Sequence, residues 1–218
     1  MDIPGVVRVT PEETERLERL AQMMGRAFLD EPWTSEIMTR MKVTPEEALQ
    51  ASVQIMRTNM FEGAPYQRVY CLEDESACLI AYRSSELGEY DNEHFEELAL
   101  KSLMKLPLAT PMRMMRAAKV MKVMEPVSDF GWYPQFAEDD FIHLVDLGVQ
   151  VDRQGEGHAA TLMRAFFAYA DSVGLPCFLE TYSDELEAIY THLGMETVKR
   201  NEARGVKLIQ RCMMRSPQ

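Results

Sequence analysis

The sequence predicts an α/β fold, and three observations carry that prediction: an apolar run entering a glycine-bearing turn, a helical pattern directly after it, and a second apolar run beyond. In FIHLVDLGVQVDRQGEGHAA, residues 141–160, the strand-like stretch Phe141 to Val149 leads to a turn holding Gly155 and Gly157. Ala159, Leu162, Met163, Phe166 and Ala170 then recur at helical spacing on one face, while Ala160, Arg164, Ala168 and Asp171 fall on the other. Gly174 is placed to cap that helix, and Pro176 cannot continue it. Cys177 to Glu180 begins a further strand. Strand, helix and strand in this order imply parallel strands joined by a right-handed crossover.

The turn is also the first functional clue. Glycines at 155 and 157 let the backbone approach an anion closely. The N–H groups left unpaired at the start of the following helix point at such an anion, with the helix dipole behind them. An anionic cofactor is expected there.

The remaining elements follow from the start of the chain. Val6 to Val9 suits a short strand. Thr10-Pro11-Glu12-Glu13 has the form of a capping box with proline at the first helical position, and Leu17, Leu20, Ala21, Met24 and Phe28 give the helix an apolar face. Thr44-Pro45-Glu46-Glu47 opens a second helix in the same way, with Leu49, Val53, Met56 and Met60 on one face. Arg68 to Leu72 and Ala77 to Tyr82, separated by Glu73-Asp74-Glu75-Ser76, predict an antiparallel hairpin. Residues 93–125 are helical in pattern, interrupted by Pro107 and Pro111, and rich in methionine. They also carry Lys101, Lys105, Arg113, Arg116, Lys119 and Lys122, a basic island in an acidic chain. Three readings stay open for this segment: core packing by adaptable thioethers, a mobile wall of an acceptor pocket, or a basic helix on a membrane surface. The acidic chain weighs against the last.

Composition narrows the class. With 218 residues, 46% of them hydrophobic, the chain can bury a core as one domain spanning residues 1–218. No apolar run is long enough to span a bilayer, and MDIPGVVRVTPEE lacks the basic and apolar regions of a signal peptide. Cys71, Cys78, Cys177 and Cys212 show no metal spacing, so a reduced cytoplasmic setting and no metal are expected. A net charge of −12 argues against a nucleic-acid partner and suits a cationic amine.

Two families fit the turn unequally. Gly155, Gly157 and Ala160 satisfy the G-x-G-x-x-G/A pattern of dinucleotide-binding folds, with Glu180 as a ribose-binding acid. In that fold the first glycine directly follows the strand, whereas Gln150 to Gln154 intervene here, and too little chain follows Tyr182 for a second nucleotide-binding half. Gln154, Gly157 and Ala159 instead meet R/Q-x-x-G-x-G/A, and this segment resembles the acetyl-CoA motif of the GNAT superfamily of N-acetyltransferases. Leu147-Gly148-Val149 with Val151-Asp152 resembles the strand end before that motif, and Leu179-Glu180-Thr181 the next strand. Ile189-Tyr190-Thr191-His192-Leu193-Gly194-Met195 is similar to the family's F-Y-x-x-L-G-F segment, and Ala27 to Pro32 to the end of its first helix. The close resemblance covers residues 141–195. Inserted helices before the cofactor strand are similar in layout to the puromycin N-acetyltransferase-like branch.

The resemblance implies a mixed, strongly twisted sheet with helices on both faces and a helical insertion beside the acceptor site. It implies acetyl-CoA as co-substrate, its arm along Leu147, Gly148 and Val149, and its pyrophosphate on Gln154, Gly155, Glu156, Gly157, His158 and Ala159. Gly148 is the expected bulge. Tyr190 matches the family's general acid, which must protonate the departing thiolate. The base stays open among Glu180, His143 and Asp146, ranked in that order, or a water chain, with Asp146 expected on the face opposite His143. His192 is expected to contribute packing or backbone contacts only. Leu186 stands where many members have an asparagine that contacts the arm. Acetylation of a small-molecule primary amine is the expected activity. A peptide or protein amine, or a non-catalytic acyl-CoA sensor, is the alternative, and a homodimer is open to such a domain.

Overall fold

The structure is a computed structural model that describes residues 1–66, 68–86, 110–137 and 139–218. Its sheet contains β1 (Val7–Arg8), β2 (Val69–Cys71), β3 (Ala77–Arg83), β4 (Ile142–Val149), β5 (Cys177–Thr181), β6 (Glu196–Glu202) and β7 (Ile209–Arg215). The spatial order is β1-β2-β3-β4-β5-β7-β6. Only β4 and β5 run parallel; every other neighbouring pair is antiparallel. The helices are α1 (Thr14–Ala27), α2 (Pro32–Met41), α3 (Pro45–Gly63), α4 (Pro111–Met124), α5 (His158–Val173) and α6 (Asp184–His192). As the sequence predicts, α5 is the crossover between the parallel strands.

The two faces of the sheet bury separate cores. On one, α5 packs Leu162, Met163, Phe166 and Ala170 against strand residues such as Ile142 and Leu144. On the other, α1 packs Leu17, Leu20, Ala21 and Met24 against Val69, Cys71, Cys78 and Ile80, with Met56 and Met60 of α3 behind. Contact between α1 and α3 is close enough to require glycine. A Cβ on Gly25 would lie 2.6 Å from the Cα of Val53. Ser52 Oγ donates to the Gly25 carbonyl at 2.7 Å, closing the same contact. All four cysteines are buried free thiols.

The two TPEE segments behave differently. At Thr44 the capping box is complete: Glu47 N–H donates to Thr44 Oγ1 at 3.2 Å and Thr44 N–H to Glu47 Oε2 at 2.9 Å. At Thr10 only half forms, with Thr10 N–H on Glu13 Oε2 at 2.8 Å, and α1 starts at Thr14 with Glu13 as N-cap. The cause lies upstream. Val9 N–H still donates to the Val69 carbonyl at 2.9 Å, which holds the chain extended and delays the helix.

Residues 93–109 of the methionine-rich segment lie outside the described residues. The rest forms α4 after the N-cap Thr110, whose hydroxyl accepts from Arg113 N–H. Val120 and Met124 are buried, whereas Met112, Met115 and Met121 are exposed. Two of the basic residues tie α4 to its neighbours: Arg113 to Glu47 at 3.0 Å, and Arg116 to the Met41 carbonyl at 3.2 Å. Among the described residues no helix is long and apolar enough to cross a membrane.

Candidate active site

The parallel strands pair at two positions only, Ile142 with Cys177 and His143 with Phe178. Beyond them β4 stays on β3 as far as Val149, and β5 stays on β7. The two strands therefore part, and among the described residues the edge of β4 from Leu144 to Val149 that faces β5 has no strand partner. Such an edge can accept an extended ligand as an added strand.

The bulge of β4 falls at Val145 and not at Gly148. Ile80 is opposite Asp146 and Ala81 opposite Leu144, so Val145 is the extra residue, whereas Gly148 pairs regularly with Cys78. Gly148 is there for space: a Cβ would meet Met24 Sδ at 2.3 Å. The extra residue shifts the side-chain alternation by one. Leu144 and Leu147 both turn towards α5, while Val145 packs on the α1 side and Asp146 meets α3 there. Asp146 thus shares the His143 side of the sheet, contrary to the strict alternation assumed from sequence.

The structure brings Glu180 and His143 together. His143 Nε2 lies 3.0 Å from Glu180 Oε2, and His143 Nδ1 lies 2.9 Å from the Tyr82 hydroxyl, itself 3.0 Å from the Tyr133 hydroxyl. The other carboxylate oxygen of Glu180 accepts from Trp132 Nε1–H. A carboxylate only accepts, so His143 presents an N–H to Glu180 from Nε2. Both oxygens of Glu180 are thereby engaged by ring N–H groups. Burial pushes the Tyr82 phenol well above its ordinary range, and the Tyr133 hydroxyl adds to that.

Two other carboxylates hold protons more readily. Burial raises Asp146 to about 6, against the Asn59 amide that donates to it at 3.3 Å and the charge of Arg68. Glu31 is the N-cap of α2; its Oε2 accepts from Thr34 N–H at 2.9 Å. Burial still raises it, outweighing the backbone donors of the first turn. Its charge is felt by Asp146, Tyr182 and Tyr190, which places these four groups in one neighbourhood. Tyr190 is 7% exposed, and burial, with the Glu31 charge second, pushes its phenol up to about 12. It keeps its proton at neutral pH.

The predicted anion turn has the backbone it needs. Gly155 and Gly157 adopt φ values of 85° and 87°, the left-handed region that side chains disfavour. Gly157 is the N-cap of α5 and makes no side-chain cap bond, so the first-turn N–H groups, beginning with His158 and Ala159, remain available. Around the turn, Arg153 bonds Asp74 at 2.6 Å and Glu156 at 3.2 Å, while His158 bonds Glu156 and Ser76 at 3.0 and 3.1 Å. This ties the turn to the end of the β2–β3 hairpin. The features fit a pyrophosphate joined to an extended arm: free N–H groups at the turn, then an unpaired strand edge. Leu186 packs with the α5-side core.

Sequence reasoning missed Glu31 as a site residue, although Ala27 to Pro32 had been singled out, and proline after Glu31 marks a helix start. It also missed Tyr82, Trp132 and Tyr133. Nothing in their spacing joins them; only the sheet register does.

No protein-family model matches the chain, and no curated protein matches it. Solved structures do. An acetyltransferase from Corynebacterium glutamicum, described as histone acetyltransferase HPA2 and related, matches with TM-score 0.59 at 11% identity over 100% of this chain and 98% of its own. Arylalkylamine N-acetyltransferase 2 from Aedes aegypti matches with TM-score 0.55 at 14% identity over 98% of both chains. The polyamine N-acetyltransferase of Drosophila melanogaster, which forms N-acetylagmatine, matches with TM-score 0.52 at 15% identity over 99% and 100%. At these identities it is the architecture that is shared: the mixed seven-stranded sheet flanked by helices is that of the GNAT acetyltransferase fold.

Proposed function

We propose that the chain transfers an acetyl group from acetyl-CoA to a small-molecule primary amine. The observation that carries this reading is the fork, where β4 and β5 part beyond His143 above a glycine turn with open N–H groups, and where Glu31, raised by burial, lies within electrostatic reach of Tyr190, a phenol that keeps its proton. Acetyl-CoA supplies an activated acyl carbon and a thiolate leaving group. The free edge of Leu147, Gly148 and Val149 orients its arm, and the turn from Gln154 to Ala159 neutralises its pyrophosphate. The ammonium first gives one proton to solvent to free its lone pair, and Glu31 takes the next as the amine attacks and the C–N bond forms. Burial suits it to this, because a general base works best with a pKa near the working pH. Tyr190 gives its proton to sulfur as the C–S bond breaks. Glu180, engaged on both oxygens, serves with His143 as a fixed negative charge beside the incoming ammonium. Asp146 adds to that field. The acidic lining suits a cationic amine, the kind that the mosquito and fly proteins are named for.

The test is thiol release from acetyl-CoA over a panel of arylalkylamines, diamines and a lysine peptide. At least one small amine is expected to be turned over, with Glu31→Gln slower by about 100-fold or more, the usual worth of a general base. If CoA raises the melting temperature but no amine releases thiol, the chain is an acyl-CoA-binding module. If CoA binds nowhere, the reading falls altogether.

A further inference from the structure

The helix that carries Glu31 is fastened at its first turn to a segment remote in sequence. Trp33, two residues on, donates its indole N–H to Ser128 Oγ at 3.0 Å, and Ser128 Oγ in turn donates to the Met124 carbonyl at 2.9 Å. The Trp33 ring meets Phe130 edge-on, with centroids 6.1 Å apart. Below this, Ile37 and Met41 of α2 pack with Val120, Met124 and Val127 at the end of α4. Tyr182, just past β5, donates its hydroxyl to the Val127 carbonyl at 2.7 Å, joining the same segment to the fork. The start of α2 is thus bonded to the end of α4, and the end of α4 to the sheet.

We propose that Trp33 and Ser128 form a latch that positions Glu31, holding its carboxylate half-buried at the fork. This rests on the reading of Glu31 as the base, although the latch itself can be tested without turnover. The backbone explains the leverage. Glu31 reaches the fork as an N-cap, its carboxylate held by the N–H groups of α2, so its position follows that of the first turn. Trp33 belongs to that turn, and its N–H faces the Glu31 carboxylate while its indole reaches Ser128. Releasing the indole frees the turn to tilt and lets water reach the carboxylate. The titratable groups coupled to Glu31 are Asp146 on β4, Tyr182 after β5 and Tyr190 on α6; α4 presents apolar Val120 and Met124 to α2.

The decisive measurement is a carboxyl-carbon NMR titration of the unliganded protein, with the Glu31 resonance assigned by its loss in Glu31→Gln. Trp33→Phe keeps a ring against Phe130 but has no N–H to give, and Ser128→Ala removes the acceptor. In both, the Glu31 midpoint should fall towards that of an ordinary glutamate, and the double variant should fall no further than Ser128→Ala alone, because the Trp33–Ser128 bond is already lost in that single variant. The kcat should drop about two- to tenfold with the KM for acetyl-CoA unchanged. An unshifted Glu31 titration in folded Trp33→Phe and Ser128→Ala overturns the latch. If the titration moves but Glu31→Gln keeps full activity, the latch stands and Glu31 is not the base.

Discussion

Replacing Asp146 by asparagine should make the protein more stable above neutral pH and leave it unchanged in acid. Burial raises this carboxyl from 3.8 to about 6, a rise of about two pH units. Each unit corresponds to about 1.4 kcal/mol, so keeping Asp146 ionised costs the fold about 3 kcal/mol at most. The group retains partial solvent contact and an Asn59 donor, so about 1–2 kcal/mol is the better expectation. The sign follows from proton counts: between about pH 4 and 6 the folded state binds more protons than the unfolded chain, and stability falls as pH rises through that window. Above it the cost stays constant. Asparagine preserves the shape and an oxygen acceptor for Asn59 without the charge. Thermal melts of both proteins from pH 4 to 8 should show curves that coincide near pH 4 and separate by about 2–8 °C at pH 8. Acids remote from Asp146 act in both proteins and cancel in the difference, whereas Glu31, whose charge raises Asp146, is relieved in the variant and adds to the gain in the same direction. A variant no more stable than its parent at pH 8, or a gap that does not change with pH, would refute a buried ionised Asp146.

Tyr190→Phe keeps the ring in its buried site, so the melt should change little while single-turnover acetyl transfer slows by about 10- to 1,000-fold; a wild-type chemical rate would return Tyr190 to the core. Gly157→Asp meets nothing within 4 Å but takes a left-handed φ, so it should lose only about 1–2 kcal/mol of stability and yet abolish CoA binding measured by calorimetry, through charge repulsion at the turn. Unchanged affinity in a folded variant would place the pyrophosphate elsewhere. Gly25→Ala should destabilise more than Gly148→Ala in urea melts, because its Cβ strikes the backbone of Val53 while that of Gly148 strikes the flexible end of Met24; the reverse order would contradict the packing.

The glycine turn and its helix are legible in the sequence because their signals are local. Gly155, Gly157 and the α5 periodicity lie within one short stretch, and each residue type is demanded by its own backbone or face. The same locality made the Thr44 capping box readable. It also explains the failure at Thr10, where a single bond from Val9 to Val69, distant in sequence, decides where α1 begins. Gly148 misled for a similar reason. A glycine in a strand signals a bulge or a close neighbour, and only the position of Met24 on α1 tells which. The bulge at Val145 has no compositional mark, since it is the register with β3 that leaves one residue unmatched.

The cluster of acids, histidine and phenol at the fork is assembled the other way round. Glu31, His143, Asp146, Glu180 and Tyr190 come from α2, β4, β5 and α6, and no two of those elements fix each other by local pattern. Sequence could rank carboxylates but not weigh them, because rank depends on partners. Glu180 ranks first by sequence, yet Trp132 and His143 occupy both its oxygens, while Glu31, which the sequence reads only as part of a helix end, is raised by burial. Glu31 also accepts N–H groups, from Trp33 and Thr34, so the count of donors does not separate the two acids; what favours Glu31 is the burial that outweighs those donors and raises it. The assignment can be reversed by one comparison: if Glu180→Gln abolishes turnover across the pH range while Glu31→Gln only shifts the pH profile, the roles of the two acids are interchanged. If Glu31→Gln is the more damaging at every pH, the residue that an unremarkable helix start delivers to the fork is the base.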